Sequence, residues 1–152
     1  MRRKLIVMRH AKSSWEFPKL SDHDRPLNKR GLRDAPRMGN LLKEINYIPD
    51  LILVSSSKRA LQTLEGIGKF FKHIPNKIKS EIYHASIQDL LSVLKEFPSQ
   101  KTIMIIGHNP SLEILINHLS GEFHIMPTAS IALLVEGQKK WSVKDVLRPK
   151  EI

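Results

Sequence analysis

The chain has 152 residues, no cysteine, and 25 Lys plus Arg against 15 Asp plus Glu, a formal charge of +10. That length is sufficient for one domain with a buried core, expected to span residues 1–152. The missing thiols exclude disulfide frameworks and thiolate chemistry, and 41% hydrophobic residues exclude a disordered chain.

The basic start MRRK is followed by an apolar run that stops at Arg9, too short for an export signal. No later stretch is long and apolar enough to span a bilayer, so a cytoplasmic protein that does not engage membranes is expected. Leu5 to Met8 read as a fully buried strand that delivers Arg9 and His10 to its carboxyl end, the edge where ligands collect in open α/β sheets. The polar loop Ala11 to Leu27 that comes next is long enough to be functional. Asn28 is placed to cap a helix reaching about Ile45, with Leu32, Met38, Leu41, Leu42 and Ile45 on one face and a break or kink expected near Pro36.

Leu51 to Val54 form a second buried strand ending in SSSKRA, where Ser57 caps a helix running to about Lys72, weakened by Gly66 and Gly68. Lys77 to Tyr83 read as a weaker extended segment, and Ser86 opens a short helix over Ile87 to Glu96. Thr102 to Ile106 are the most apolar strand and deliver Gly107-His108-Asn109-Pro110. Pro110 suits the first turn of a helix that stops at Gly121. Ala129 to Val135 and Trp141 to Leu147 close the chain as two strands. The recurrence of strand, polar elbow and helix predicts a three-layer α/β/α sandwich with a mostly parallel central sheet.

Arg9, His10, Arg59 and His108 all fall at strand ends or helix starts, and convergence of these side chains on one edge is expected. Guanidinium groups match phosphate oxygens with a planar fork, and helix N-termini add anion affinity. A neutral imidazole attacks phosphorus without prior activation, so His10 is the expected nucleophile, with Arg9, Arg59 and His108 holding the phosphoryl oxygens. No acidic cage accompanies these residues; the protein supplies the cations, and a reaction without metal or cofactor is expected. The remaining cations are spread over Arg2–Lys4, Lys29–Arg37, Lys69–Lys79 and Lys139–Lys150 without interleaved aromatics, so nucleic acid is not an expected partner.

Taken in this order and spacing, MRHAKSS, SSSKRALQT and IIGHNP resemble the histidine phosphatase superfamily, and DHDRPLNKRG is similar to its small SixA-type branch of phosphohistidine phosphatases. The resemblance implies a phosphoglycerate-mutase-like fold, a phosphorylated His10, and a phosphate pocket of Arg9, Arg59 and His108. Ala11 departs from the glycine usual after the histidine in the wider superfamily. A glutamate between the second and last motifs donates a proton in many relatives. Glu81 occupies a similar place, with Asp22, Asp24 and solvent as rivals. The expected substrate is a phosphohistidine-bearing protein; a small phosphorylated metabolite and a non-catalytic anion-binding module are the alternatives.

Overall fold

Three apolar runs of the sequence lie side by side at the centre of a sheet in the computed structural model, which describes residues 2–152. They are β1 (Lys4–Arg9), β2 (Leu51–Val54) and β4 (Thr102–Gly107). With β3 (Asn76–Ile78), β5 (Ile131–Glu136) and β6 (Trp141–Leu147) they form a 6-stranded sheet in the order β3-β2-β4-β1-β5-β6. The first four of these are parallel, whereas β5 and β6 are added antiparallel. Both faces are covered, which is why the central runs are apolar at every position rather than at alternate ones.

Side-chain alternation divides the core into two halves. Ile6, Met8, Ile52, Val54, Met104 and Ile106 point to one face, where α1 (Lys29–Glu44) and α2 (Lys58–Gly68) cover them with Met38, Leu42, Ala60 and Ile67. Leu5, Val7, Leu51, Leu53, Ile103 and Ile105 point to the other, under α3 (Ile87–Lys95) and α4 (Ser111–Ser120) with Leu90, Val93, Leu112 and Ile116. Each such side chain contributes about 1.5–3 kcal/mol on burial, so the sheet centre is the most costly part of the molecule to open. Among the described residues no helix is long and apolar enough to cross a membrane.

Pro36 does not break α1, which runs unbroken from the Asn28 cap. The neighbouring helix packs closely against it. A Cβ on Gly66 would stand 2.7 Å from Ala35 Cβ and 3.0 Å from Pro36 Cδ, and one on Gly39 would stand 3.0 Å from Ile67 Cα. Gly66, expected to weaken α2, thus lets the two helices touch, whereas a Cβ on Gly68 would meet nothing within 4 Å. Leu32 departs from the expected apolar face and is 55% exposed. Helix α2 ends at Gly68 rather than Lys72, and of the segment expected over Lys77 to Tyr83 only the start pairs, before a 3-10 turn over Ser80–Ile82. Strand β5 starts at Ile131, because Ala129 adopts a left-handed φ of 64° that cannot continue a strand.

Candidate active site

Backbone pairing continues past the strand ends and holds the first residues of the loops in place. The His10 N–H donates to the Gly107 carbonyl at 3.0 Å, and the Ser55 N–H donates to the Ile106 carbonyl at 3.1 Å. The elbows after β1, β2 and β4 are thereby locked beside one another at the carboxyl edge of the sheet.

The His10 ring is 6% exposed, and its Nδ1 lies 2.7 Å from the Ala11 carbonyl oxygen. A carbonyl only accepts, so Nδ1 carries the proton and Nε2 the lone pair. Burial lowers the His10 pKa to about 3; the Ala11 carbonyl opposes this, and His108, Arg59 and Arg9 add to it. The ring is therefore neutral at physiological pH. Its Nε2 faces the Arg59 Nε–H, 3.4 Å away.

His108 stands with its ring centroid 5.1 Å from that of His10. Its Nε2 is 2.8 Å from Ser55 Oγ and 3.4 Å from Ser57 Oγ. These hydroxyls already accept backbone N–H groups, from Ser57 and from Ala60 at the start of α2, so their own protons are free to point at Nε2. When one of them donates to Nε2, the His108 proton sits on Nδ1. Burial, followed by the charge of Arg59, lowers the His108 pKa to about 4.

Three guanidiniums surround the pair, those of Arg9, Arg25 and Arg59. Arg9 Nη1 donates to the Met126 carbonyl at 3.2 Å. Arg25 donates to Ser13 Oγ, and its guanidinium carbon lies 3.5 Å from the centre of the Trp15 ring. Arg59 grips Asp22 through the backbone carbonyl at 2.6 Å and the carboxylate at 3.0 Å. That carboxylate also accepts the Tyr83 hydroxyl at 2.7 Å. The Tyr83 bond, with those from Arg59, lowers the Asp22 pKa to about 2.

These groups enclose an open cleft of about 300 Å³. Arg9 Nε, Arg25 Nε and His108 Nδ1 are buried there without a hydrogen-bond partner among the described residues. Buried donors without partners are costly, at about 1–3 kcal/mol each. The cleft itself is lined by His108 and by Arg9, Arg25 and Arg59, whose positive charge would meet an oxyanion seated beside His10. The arrangement suits binding a tetrahedral anion and attacking its central atom.

The pattern of the histidine phosphatase superfamily (branch 1) matches residues 5–83, a span that carries two of the three strand-end elbows. The chain belongs to the histidine phosphatase superfamily. An uncharacterized chloroplastic protein of Arabidopsis thaliana is 34% identical over 151 residues, covering 91% of this chain and 69% of its own. A structure proposed to be the phosphohistidine phosphatase SixA of Agrobacterium tumefaciens superposes with a TM-score of 0.89 at 31% identity, covering 97% of this chain and 98% of that one. The protein histidine phosphatase SixA in complex with tungstate shares the fold, with a TM-score of 0.88 at 24% identity and coverage of 97% and 98%. The phosphoglycerate-mutase-like architecture implied by the motifs is therefore present, and this histidine phosphatase is an enzyme of the hydrolase class.

The structure brings Arg9, His10, Arg59 and His108 to one cleft. Glu81 lies outside it. The 3-10 turn buries Ile82 and leaves Glu81 half-exposed, 3.7 Å from Lys79 Nζ and in reach of Ser80 Oγ. Asp24 is exposed beside His23, whereas Asp22 reaches the cleft. Trp15 is 74% exposed and stacked on Arg25, so burial does not anchor its loop. The sequence by itself does not assign Arg25, Ser55, Ser57 and Tyr83 to the cleft. The serine run before Arg59 and the DHDR cluster were the available signals. Among the described residues no group of three or more His, Asp or Glu side chains is placed to hold a metal ion.

Proposed function

We propose that this histidine phosphatase hydrolyses phosphohistidine on proteins through a phosphorylated His10, with protein cations rather than a metal ion stabilising the transferring group. The observation that carries the proposal is the neutral His10 ring with Nε2 beside Arg59 in a cleft also lined by Arg9, Arg25 and His108. The Agrobacterium tumefaciens protein, itself proposed to act on phosphohistidine, supports the substrate class. So does the mouth of the cleft, where exposed Trp15 lines an opening that a protein side chain can enter.

In the first step His10 Nε2 bonds to phosphorus while the bond to the leaving nitrogen breaks. The electron pair goes to that nitrogen, which also takes a proton. The proton stays on Nδ1, hydrogen-bonded to the Ala11 carbonyl, so the phosphorylated ring is cationic and balances one phosphoryl charge. Arg9, Arg59 and His108 hold the equatorial oxygens throughout, each charge-assisted bond being worth about 1.5–3 kcal/mol. Water then attacks phosphorus, the bond pair returns to Nε2, and inorganic phosphate leaves.

Specificity constants for phosphohistidine peptides and a panel of phosphorylated metabolites, measured in EDTA, test the proposal. Peptides should rank first, vanadate should inhibit, and His10→Ala should reduce turnover by at least about 10³-fold. A sugar phosphate ranked well above every peptide would overturn the substrate, and turnover surviving in His10→Ala would overturn the mechanism.

A further inference from the structure

A second hollow, of about 260 Å³, adjoins the phosphoryl cleft and is lined by Arg59, Tyr83, His84, His108, Asn109 and Ser111 among others. The two spaces share Arg59, His108 and Asn109, but His10 lines only the first. His108 stands between them, its ring 5.1 Å from His10 on one side and 5.5 Å from Tyr83 on the other. Phosphoryl transfer places the attacking and leaving atoms roughly in line on opposite sides of phosphorus. A leaving group therefore needs room away from His10, and the second hollow, which adjoins the cleft but is not lined by His10, offers it.

We propose that the second hollow receives the leaving group and that His84 is the acid that protonates it. The assignment rests on His10 as the nucleophile.

Several observations converge on His84. Its backbone is left-handed, with φ 54°, a conformation sparsely populated by non-glycine residues and typical of strained functional positions. That backbone, together with a ring contact to Tyr83 at 4.0 Å between centroids, holds the imidazole at the rim of the hollow. The His84 ring is exposed and makes no hydrogen bond among the described residues, so its nitrogens are available to a ligand. Imidazole is the side chain best suited to exchanging a proton near neutral pH.

The nearby rivals are committed elsewhere. Asp22 is fixed as a carboxylate by Tyr83 and Arg59, and acts as an acceptor. The Tyr83 hydroxyl is spent on Asp22, and the Ser111 hydroxyl donates to the Ala85 carbonyl at 2.6 Å. Glu113 accepts from Asn109 Nδ2 at 3.1 Å and from the Met126 N–H at 2.8 Å. Glu81 pairs with Lys79. The groups that face His84 are thus Tyr83, Arg59 and His108, none of which is placed to donate a proton to the departing atom.

The cycle balances. As His10 Nε2 bonds to phosphorus, the P–N or P–O bond breaks, its electron pair passes to the leaving atom, and that atom takes the proton from the His84 imidazolium. Water then attacks phosphorylated His10 and gives up one proton to solvent, from which neutral His84 is reprotonated. The hydroxide oxygen stays on phosphorus, and His10 and His84 return to their starting states.

A series of aryl phosphates, from phenyl phosphate to 4-nitrophenyl phosphate, tests the assignment. A poor leaving group needs the acid, whereas nitrophenolate departs without it. His84→Asn keeps a residue that tolerates the left-handed backbone but cannot transfer the proton. It should lose about 100-fold in kcat on phenyl phosphate and change by less than about threefold on 4-nitrophenyl phosphate. His84→Gly should regain turnover of phenyl phosphate, but not gain on 4-nitrophenyl phosphate, when imidazole is added. Equal losses on both substrates, no loss on either, or no rescue would overturn the role of His84. Wild-type turnover that survives His10→Ala would instead overturn the nucleophile on which it rests.

Discussion

Two arginine clusters in this molecule each contain three guanidiniums and one aspartate, with opposite burial. On α1, Arg30, Arg33 and Arg37 lie 3.6, 3.4 and 3.9 Å from Asp34, whose side chain is 2% exposed while theirs are 38%, 69% and 41% exposed. In the cleft the cations are buried, with the Arg25 and Arg59 side chains 9% and 8% exposed, and Asp22 is 46% exposed. A buried anion among solvated cations is satisfied, because water completes the cations. Buried cations beside a half-exposed anion are not, and only this second cluster leaves donors unpaired, at Arg9 and Arg25. The accompanying imidazoles are neutral and cannot supply the missing negative charge. Composition makes the clusters look alike; burial separates the one that stabilises the fold from the one that awaits a ligand.

The sharpest way to break this contrast is to remove a buried cation. Arg59→Ala takes away a donor facing His10 and the grip on Asp22, and kcat/KM should fall about 10²–10³-fold, or about 3–4 kcal/mol of transition-state stabilisation. Steady-state kinetics checks this, and Arg59→Lys should recover only part of the loss, since an ammonium lacks the planar fork.

Acid sharpens the contrast further. His10 and His108 have pKa values of about 3 and about 4 in the folded chain, below the ordinary 6.5. Between those values and 6.5 the unfolded chain binds more protons, so stability is complete above pH 6.5 and declines as pH falls through that window. At pH 5 the pair should cost on the order of 4 kcal/mol. Asp22, held down to about 2, acts in the same direction but only at lower pH, its contribution being lost as pH falls from about 4 toward 2. Urea unfolding at a series of pH values should show the loss, and orthovanadate or phosphate should reduce it by binding the folded cleft.

The smallest effect is expected on α1. Asp34→Asn removes the buried charge, but its partners are solvated, so the cost in stability should be about 1–2 kcal/mol rather than that of stranding a buried ion. Chemical denaturation would measure it, with kcat/KM unchanged. A large loss of activity from Asp34→Asn would erase the distinction between the clusters.

The central strands were legible because burial on both faces makes each of them a continuous apolar run. Their order along the chain, with polar elbows after each, was enough to indicate that Arg9, His10, Arg59 and His108 meet. Features created by tertiary approach were not legible. Gly66 reads as a weak point of α2 until Ala35 and Pro36 are seen against it, and the two helices meet only in three dimensions. Arg25 and Asp22 sit in a long loop without periodicity, so nothing local shows that one stacks on Trp15 and the other bonds Arg59. Around Glu81 the sequence signal was displaced by a few residues: the turn that directs Glu81 toward Lys79 delivers Tyr83 and His84 to the cleft rim.

The amides of His10 and Ser55 belong to the same hydrogen-bonded ladder as β4, every residue of which is buried. Local fluctuations that release only a loop cannot free them; their exchange with deuterium requires rupture of the deepest cooperative unit. The reactive corner therefore has no independent melting of its own, and it remains assembled as long as the sheet does.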